Sequence, residues 1–302
     1  MYKQVFLSRK ESGPKILVIS GIHGDESQAV VSVLKLADAI SKLSCDPSSV
    51  FSHVASYTFL HAVNDFGLAQ HTRENLYRKE SETPQDLNRL FKAEFSTPAE
   101  LKDIISTAIA DADIVIDVHN SPLCKNCFLV DYDSNADKIL SLAGRTSLTP
   151  LVRTANTNAG TVKSKALSLG KIGFTVELNG MGFLGDDPEQ SSILLLEFIQ
   201  SILSNYNLPK KTCPDLSEYL SHSLCSMITG VVSWQRLNPW LKKYSKNEVI
   251  CTVTSLDGKE THEIKAPYSG GFVYDMTHFY YVNKGEPIIE YARNPQDFFG
   301  KE

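Results

Sequence analysis

His23 and Glu26 are the first residues of this 302-residue sequence whose types and spacing point to chemistry. They stand three positions apart in the run His-Gly-Asp-Glu, directly after an apolar stretch at residues 15–20. This spacing lets an imidazole nitrogen and a carboxylate oxygen reach one cation from a single turn. Zinc takes such nitrogen and oxygen ligands, and a catalytic site keeps a further position for water. The pair therefore predicts part of a metal site.

A third ligand is expected from Asp117-Val118-His119, where a second apolar run ends. Side chains alternate along a strand, so Asp117 and His119 share one face. Asp117 is then placed to anchor the histidine from behind or to orient a group in the site. Glu177 ends a third apolar run. Because ligands of open α/β sheets bind beyond the carboxyl ends of the strands, these side chains are expected to meet.

The elements that must position these residues alternate between strand and helix patterns. Short apolar runs predict strands, and apolar residues at helical spacing predict the helices between them. This alternation favours a layered α/β domain with a largely parallel sheet. The predicted strands are residues 15–20, 56–63, 113–118, 127–132 and 171–177, and the predicted helices are residues 26–43, 97–110, 136–145 and 191–205.

The pattern changes near Leu208-Pro-Lys-Lys211, which is typical of a linker. Strand signals dominate beyond it, with a turn at Asp257-Gly258. We therefore predict two units, residues 1–207 and a small β-rich unit at residues 208–302. The strands predicted in the second unit are residues 248–255, 260–265, 271–275, 279–282 and 287–291.

Composition limits the partners and the compartment. The formal net charge is -5, and no Lys/Arg-rich run offers a footprint for phosphate backbones, which argues against nucleic acid. No secretion signal precedes residue 20 and no apolar segment is long enough for a membrane span, so a cytoplasmic protein with no membrane partner is expected. The six cysteines, including Cys124 and Cys127, are then expected to be reduced and mostly buried.

Four segments carry a family resemblance: Gly21-Ile-His-Gly-Asp-Glu26, Asp86-Leu-Asn-Arg89, Asp117-Val-His-Asn-Ser121 and Val176-Glu-Leu-Asn-Gly180. In this order they resemble the motifs of the aspartoacylase and succinylglutamate desuccinylase family, a branch of the zinc carboxypeptidase fold. The resemblance covers most of the first unit. It implies a three-layer α/β/α domain with a mixed, largely parallel sheet, followed by a small C-terminal β domain.

The resemblance also implies the roles of the central residues. His23, Glu26 and His119 would hold one Zn²⁺ per chain, and Glu177 would take a proton from the attacking water and deliver it to the leaving amine. Asp86 would hydrogen-bond the first zinc histidine and fix its tautomer. Amide hydrolysis agrees with this set, because it needs a Lewis acid at the carbonyl and a base for the water.

Arginines and tyrosines would complete a site for a small substrate that bears a carboxylate. The resemblance implies that Asn88 and Arg89 bind that carboxylate, since a guanidinium fork donates two parallel hydrogen bonds. Arg78 would stabilise the oxyanion, with Arg73 as the alternative. The family also places a tyrosine over the active site, and strand alternation lets only one of Tyr280 and Tyr281 point inward.

The expected function is a zinc-dependent deacylase that cleaves an N-acyl amino acid or a similar small amide. The alternative is a metallocarboxypeptidase acting on a peptide or cell-wall fragment. A metal-binding relative without activity is disfavoured because all four chemical positions are filled. The segment before Glu177 has Lys163, Lys165 and Lys171 where aspartoacylases use an arginine for the aspartate side chain, which argues against N-acetylaspartate.

Overall fold

A computed structural model gives the architecture of the chain. It describes residues 2–6, 13–52, 55–74, 86–92, 99–121, 127–131, 142, 151–154, 160–181, 184–185, 187–206, 218–235, 243–276 and 281–293. In this part of the chain no helix is long and apolar enough to cross a membrane.

A large mixed sheet forms the centre of the molecule. Its strands, in spatial order, are β1 (Tyr2–Phe6), β3 (Ser56–His61), β2 (Lys15–Ser20), β4 (Ile114–Ser121), β7 (Ile172–Met181), β5 (Cys127–Asp131), β6 (Leu151–Thr154), β9 (Glu218–Cys225), β15 (Pro287–Arg293) and β13 (Phe272–Met276), with β8 (Leu184–Gly185) paired to β7. The strands β3, β2, β4 and β7 run parallel, whereas β7 and β5 are antiparallel. The sheet is thus mixed, with a parallel centre.

Helices cover both faces of this sheet. The helices are α1 (Ser27–Ser44), α2 (Asp65–Gln70), α3 (Ala99–Asp111), α4 (Val162–Ser168) and α5 (Pro188–Asn205). Helices α1 and α5 share one apolar core with residues such as Ile16 and Ile116, and α3 and α4 share another with Leu17 and Val115 on the opposite face. The central strands are buried on both sides, which is why they are continuous apolar runs. The predicted three-layer α/β/α fold is confirmed.

The C-terminal part of the chain contributes to two sheets. Strands β9, β13 and β15 extend the large sheet, and a second sheet contains β12 (Thr261–Lys265), β11 (Val249–Ser255), β10 (Gly230–Trp234) and β14 (Tyr281–Val282). Val232, Val253 and Ile264 of the second sheet pack in one core with Ile289 and Tyr291 of the large sheet. The predicted boundary at residues 207 and 208 lies outside the described residues and stays a prediction.

Most predicted elements recur with small changes in length. The helix predicted at residues 136–145 and the CxxC segment lie largely outside the described residues, so they stay predictions. The cysteines differ from expectation: of the three described side chains, Cys251 is buried but Cys45 and Cys225 are exposed. Burial raises the pKa of the Cys251 thiol to about 12.

Candidate metal centre

The turn between β2 and α1 carries both His23 and Glu26 into the interior. His23 is 3% exposed and Glu26 is 4% exposed, and the backbone N–H of Glu26 donates to the carbonyl of His23. The turn packs closely against α2, since a Cβ at Gly24 would overlap the backbone of Gly67. Only glycine fits there, and this close contact holds the turn at the carboxyl edge of the sheet.

Three donor groups converge at this edge. The Glu26 carboxylate lies between the two imidazoles, with Oε1 2.6 Å from Nδ1 of His23 and Oε2 2.9 Å from Nδ1 of His119. The two Nδ1 atoms are 3.1 Å apart. His23, Glu26 and His119 therefore form a buried group that could hold a metal ion.

The donor set fits a small divalent cation. Donor atoms about 2.0–2.1 Å from a tetrahedral zinc are about 3.3 Å from one another. The separations between the donor atoms of His23, Glu26 and His119 are 2.6, 2.9 and 3.1 Å, which is on average about half an ångström less. Two ring nitrogens that face each other at 3.1 Å repel unless a proton or a cation lies between them. Two imidazoles and one carboxylate are also the ligands that zinc takes in catalytic sites.

A carboxylate stands behind each histidine. Nε2 of His23 is 3.0 Å from Oδ1 of Asp86, and Nε2 of His119 is 3.1 Å from Oδ2 of Asp117, which is fully buried. The Asp86 carboxylate needs a donor, so it favours the tautomer of His23 with the proton on Nε2. That tautomer directs the Nδ1 lone pair of His23 toward Glu26. Metal-binding histidines commonly have such partners.

The charges of the group support one another. Burial would raise the pKa of Glu26, but the two adjacent imidazoles hold it below its ordinary value. Burial likewise opposes the cationic form of His119, yet Asp117 and Glu26 raise its pKa well above the usual range. The pKa of Asp86 is also lowered, against its burial, by His23 and by Arg73. The Glu26 and Asp86 carboxylates thus remain ionised and create a negative potential that favours a cation.

The segment Asp86-Leu-Asn-Arg89 lies against the two histidines. Oδ1 of Asp86 accepts from the Asn88 N–H at 2.7 Å and caps the 3-10 turn Leu87–Arg89. Nδ2 of Asn88 is 3.3 Å from Nε2 of His119, and its Oδ1 accepts from Val162 N. The Arg89 guanidinium donates to the Asn88 carbonyl at 2.8 Å and is 31% exposed. A substrate group at the metal would therefore meet polar donors here.

Arg73 faces the acidic groups of the site. Its Nη1 is 3.6 Å from Oε1 of Glu26, and its Nη2 is 3.5 Å from Oδ2 of Asp86. Burial opposes its charge, but Asp86, Glu26, Asp25 and Glu177 together raise its pKa. The Arg73 side chain is half exposed, so part of it remains open to solvent.

Glu177 lies directly beside the metal group. It is in register with His119 on the adjacent parallel strand, so both side chains project from the same face of the sheet. Glu177 is partly buried, and its carboxylate interacts electrostatically with Arg73. A carboxylate in this position can exchange protons with a group bound between His119 and Arg73.

The roles of three further predicted site residues stay predictions. Arg78 and Tyr280 belong to the segments that the structure does not describe, and their roles stay predictions. Tyr281 lies on β14 of the second sheet, opposite Val231, and is 45% exposed. The role predicted for Tyr281 stays a prediction.

Two buried asparagines of the site were missed as functional candidates. Asn64 caps α2 through Gly67 N and donates from Nδ2 to the carbonyl of Arg73 at 3.3 Å. Asn120 connects β4 to α1 and β7. The sequence hints at the first, because Asn precedes a helix as a preferred N-cap residue. Asn120 lies within the Asp117–Ser121 motif, but no local pattern indicates its role, because its partners are distant in sequence.

The fold and the buried His, Glu and His group together define an α/β protein with side chains that could hold a metal ion at the carboxyl edge of its sheet. The chain belongs to the succinylglutamate desuccinylase/aspartoacylase family, whose catalytic domain matches residues 12–203. Members of this family are deacylases, which makes the chain an enzyme of the hydrolase type. No curated protein matches the chain by sequence.

Solved structures share the fold over nearly the whole chain. The succinylglutamate desuccinylase/aspartoacylase from Rhodobacter sphaeroides is 16% identical with a TM-score of 0.70, covering 94% of this chain and 86% of that one. An aspartoacylase family protein from Mesorhizobium loti is 17% identical with a TM-score of 0.71, and the match covers 94% of this chain and 86% of that one. The product-bound ectoine utilization protein EutE (DoeB) from Ruegeria pomeroyi is 16% identical with a TM-score of 0.72, and the match covers 96% of this chain and 88% of that one. At these identities the likeness extends to the fold and not to the substrate.

Proposed function

We propose that this chain is a zinc-dependent deacylase of the cytoplasm that hydrolyses the amide bond of an N-acyl amino acid or a similar small carboxylate-bearing amide. One observation carries the proposal: three buried donor groups converge, each histidine is backed by a carboxylate, and Glu177 lies in register beside His119. Membership in a family of deacylases supports the amide bond as the target.

His23, Glu26 and His119 are the proposed ligands of one zinc ion. Two nitrogen donors and one carboxylate favour zinc over magnesium or calcium, which prefer oxygen ligands. When bound, zinc supplies a Lewis acid for the amide carbonyl and makes water acidic enough to attack near neutral pH. Asp86 keeps the proton on Nε2 of His23 and so leaves its Nδ1 available, and Asp117 lies against Nε2 of His119.

Glu177 is the proposed general base. Its carboxylate accepts a proton from the attacking water and then donates it to the nitrogen of the leaving amine, which balances the hydrolysis of the amide. Its position beside His119 supports this role, since a base must lie within hydrogen-bond reach of the water that it activates.

Arg73 is the arginine that we favour for the negative charge that develops on the carbonyl oxygen. It lies within 4 Å of Glu26 and of Asp86, and its side chain is half exposed. A fixed positive charge stabilises a transition state in which the oxygen becomes anionic. Arg78, predicted for the same role, stays the alternative. Asn88 and Arg89 are the proposed binding groups for the substrate carboxylate.

The test combines metal analysis with a substrate panel. Purified protein loaded with zinc is assayed against N-acyl amino acids that differ in acyl group and amine, and against short peptides with free carboxyl ends. The proposal expects one zinc per chain and release of a free amine from an N-acyl amino acid. Stoichiometric zinc with cleavage of peptides alone would favour the carboxypeptidase alternative. Protein that binds no zinc would refute the metal assignment.

A further inference from the structure

The first turn of α1 has an unusual arrangement of its cap. A helix leaves its first backbone N–H groups without intrahelical partners, and the side chain of the N-cap residue normally accepts from one of them. Glu26 is the N-cap residue of α1, but its side chain makes no capping hydrogen bond. Its carboxylate lies between the two imidazoles instead. One carboxylate cannot do both tasks at once.

Asn120 supplies the missing cap from another element. Its Oδ1 accepts from the N–H of Ala29 at 2.9 Å, and Ala29 is the third residue of α1, where an N-cap side chain would bond. Its Nδ2 donates to the carbonyl of Gly180. Its backbone N–H donates to Oε2 of Glu26 at 3.3 Å. The side chain is 2% exposed, so these bonds form away from water.

Three elements of the active site meet at this one carboxamide. Asn120 follows His119 on β4. Its Oδ1 binds the first turn of the helix whose N-cap is Glu26. Its Nδ2 binds β7 at a position three residues after Glu177. Alternation along β4 directs its side chain to the face opposite His119, where α1 packs. Asn120 therefore acts on the site without touching a substrate beside His119.

We infer that Asn120 is a positioning residue that caps α1 in trans and thereby leaves the Glu26 carboxylate available as a metal ligand. The inference rests on the zinc site of the proposed function. Without Asn120, the buried N–H of Ala29 lacks an acceptor, at a cost that favours any rearrangement that restores one. The Glu26 carboxylate is at the N-cap and is attracted by the helix N-terminus, so it turns from the metal toward the helix.

Two substitutions separate the acceptor from the rest of the side chain. Asn120→Ala removes the cap, and we expect it to weaken zinc affinity by roughly ten- to a hundredfold, the range for residues that orient metal ligands. Asn120→Asp keeps an oxygen for the Ala29 N–H while losing the donor to Gly180. It should restore zinc affinity to within a few-fold of wild type. Affinity is measured by competition with a chromophoric chelator, alongside the Tm of each protein.

Two control variants measure what destabilisation alone does. Asp187 is the N-cap residue of α5, and its Oδ1 accepts from Glu189 N at 3.0 Å, so Asp187→Ala removes this cap. Ile199→Ala truncates a fully buried side chain of the same helix. Both should lower Tm and change zinc affinity less than twofold. The inference fails if Asn120→Ala behaves like these controls, or if Asn120→Asp binds zinc as weakly as Asn120→Ala. Should Asn120→Ala not fold, Asn120→Asp and Asn120→Leu make the same comparison of acceptor with no acceptor.

The wild-type protein distinguishes this inference from the proposed function. If it binds no zinc, the proposed zinc site is wrong. If it binds one zinc per chain and Asn120→Ala binds it equally well, only the role of Asn120 is wrong.

Discussion

The carboxyl edge of the large sheet buries different kinds of groups from the C-terminal sandwich, which is the second sheet packed against β9, β13 and β15 of the large sheet. The first collects His23, Glu26, Asp117 and His119, each less than 5% exposed. In the second, the core contains Val253, Ile264, Ile289 and Tyr291. Among the described side chains beyond residue 206, Ser226 is the buried polar residue.

This difference indicates which region of the chain carries function and which region mainly contributes stability. Buried charges cost free energy unless they are paired, so a protein retains them where they do chemistry. Apolar burial stabilises without any such requirement. Variants at the edge of the large sheet should therefore alter metal binding and activity, whereas variants in the sandwich should alter Tm alone.

His119→Ala should have the largest effect on function. Loss of a residue behind a metal ligand costs about 10- to 100-fold in affinity, and loss of the ligand itself should cost more. We expect the purified variant to lack stoichiometric zinc and to be inactive. Metal analysis after gel filtration measures this, with His262→Ala on the second sheet as the matched control. Full zinc occupancy in His119→Ala would exclude His119 as a ligand.

Glu177→Gln should separate catalysis from metal binding. The substitution keeps the size of the side chain and removes the proton acceptor, so kcat should fall by about 10²-fold or more while one zinc remains bound. Glu263→Gln on β12 is the control, because Glu263 is exposed and pairs with Lys265. Near-normal turnover in Glu177→Gln would contradict the general-base role, and loss of zinc would make Glu177 a ligand.

The sequence indicated that His23, Glu26 and His119 lie close together, and it predicted the elements around them unevenly. Strand β2 was predicted over its observed span, because its apolar run is buried on both faces. Strand β4 continues to Ser121 although its last three residues are polar, since pairing with β7 maintains it. The short helices α2 and α4 were missed because six or seven residues carry little periodicity. The cap by Asn120 joins residues 91 positions apart, which no local pattern encodes.

Substitutions of the arginines test which of them stabilises the oxyanion and which binds the substrate carboxylate. Arg73→Ala should lower kcat by about 10²-fold with little change in KM, because its charge matters most as the oxyanion develops. Arg89→Ala should chiefly raise KM, since a substrate carboxylate is bound in ground and transition states alike. Steady-state kinetics of both variants, with Arg78→Ala beside them, measure this. If Arg78→Ala lowers kcat and Arg73→Ala does not, Arg78 is the oxyanion residue.

Tyr291→Phe should have the smallest effect of these substitutions, and it tests whether a variant in the sandwich alters Tm alone. The Tyr291 ring is fully buried against Gly271, where a Cβ would overlap it, and its hydroxyl donates to the Tyr268 carbonyl at 2.7 Å. Phenylalanine keeps the ring and loses one neutral hydrogen bond, which costs about 1 kcal/mol. For a chain of this length Tm should fall by about 1–2 °C, measured by calorimetry. Zinc content and kcat should not change, because the contacts of Tyr291 belong to the apolar core of the sandwich. A loss of activity without a loss of Tm would show that the two regions are coupled, and the division between function and stability would not hold.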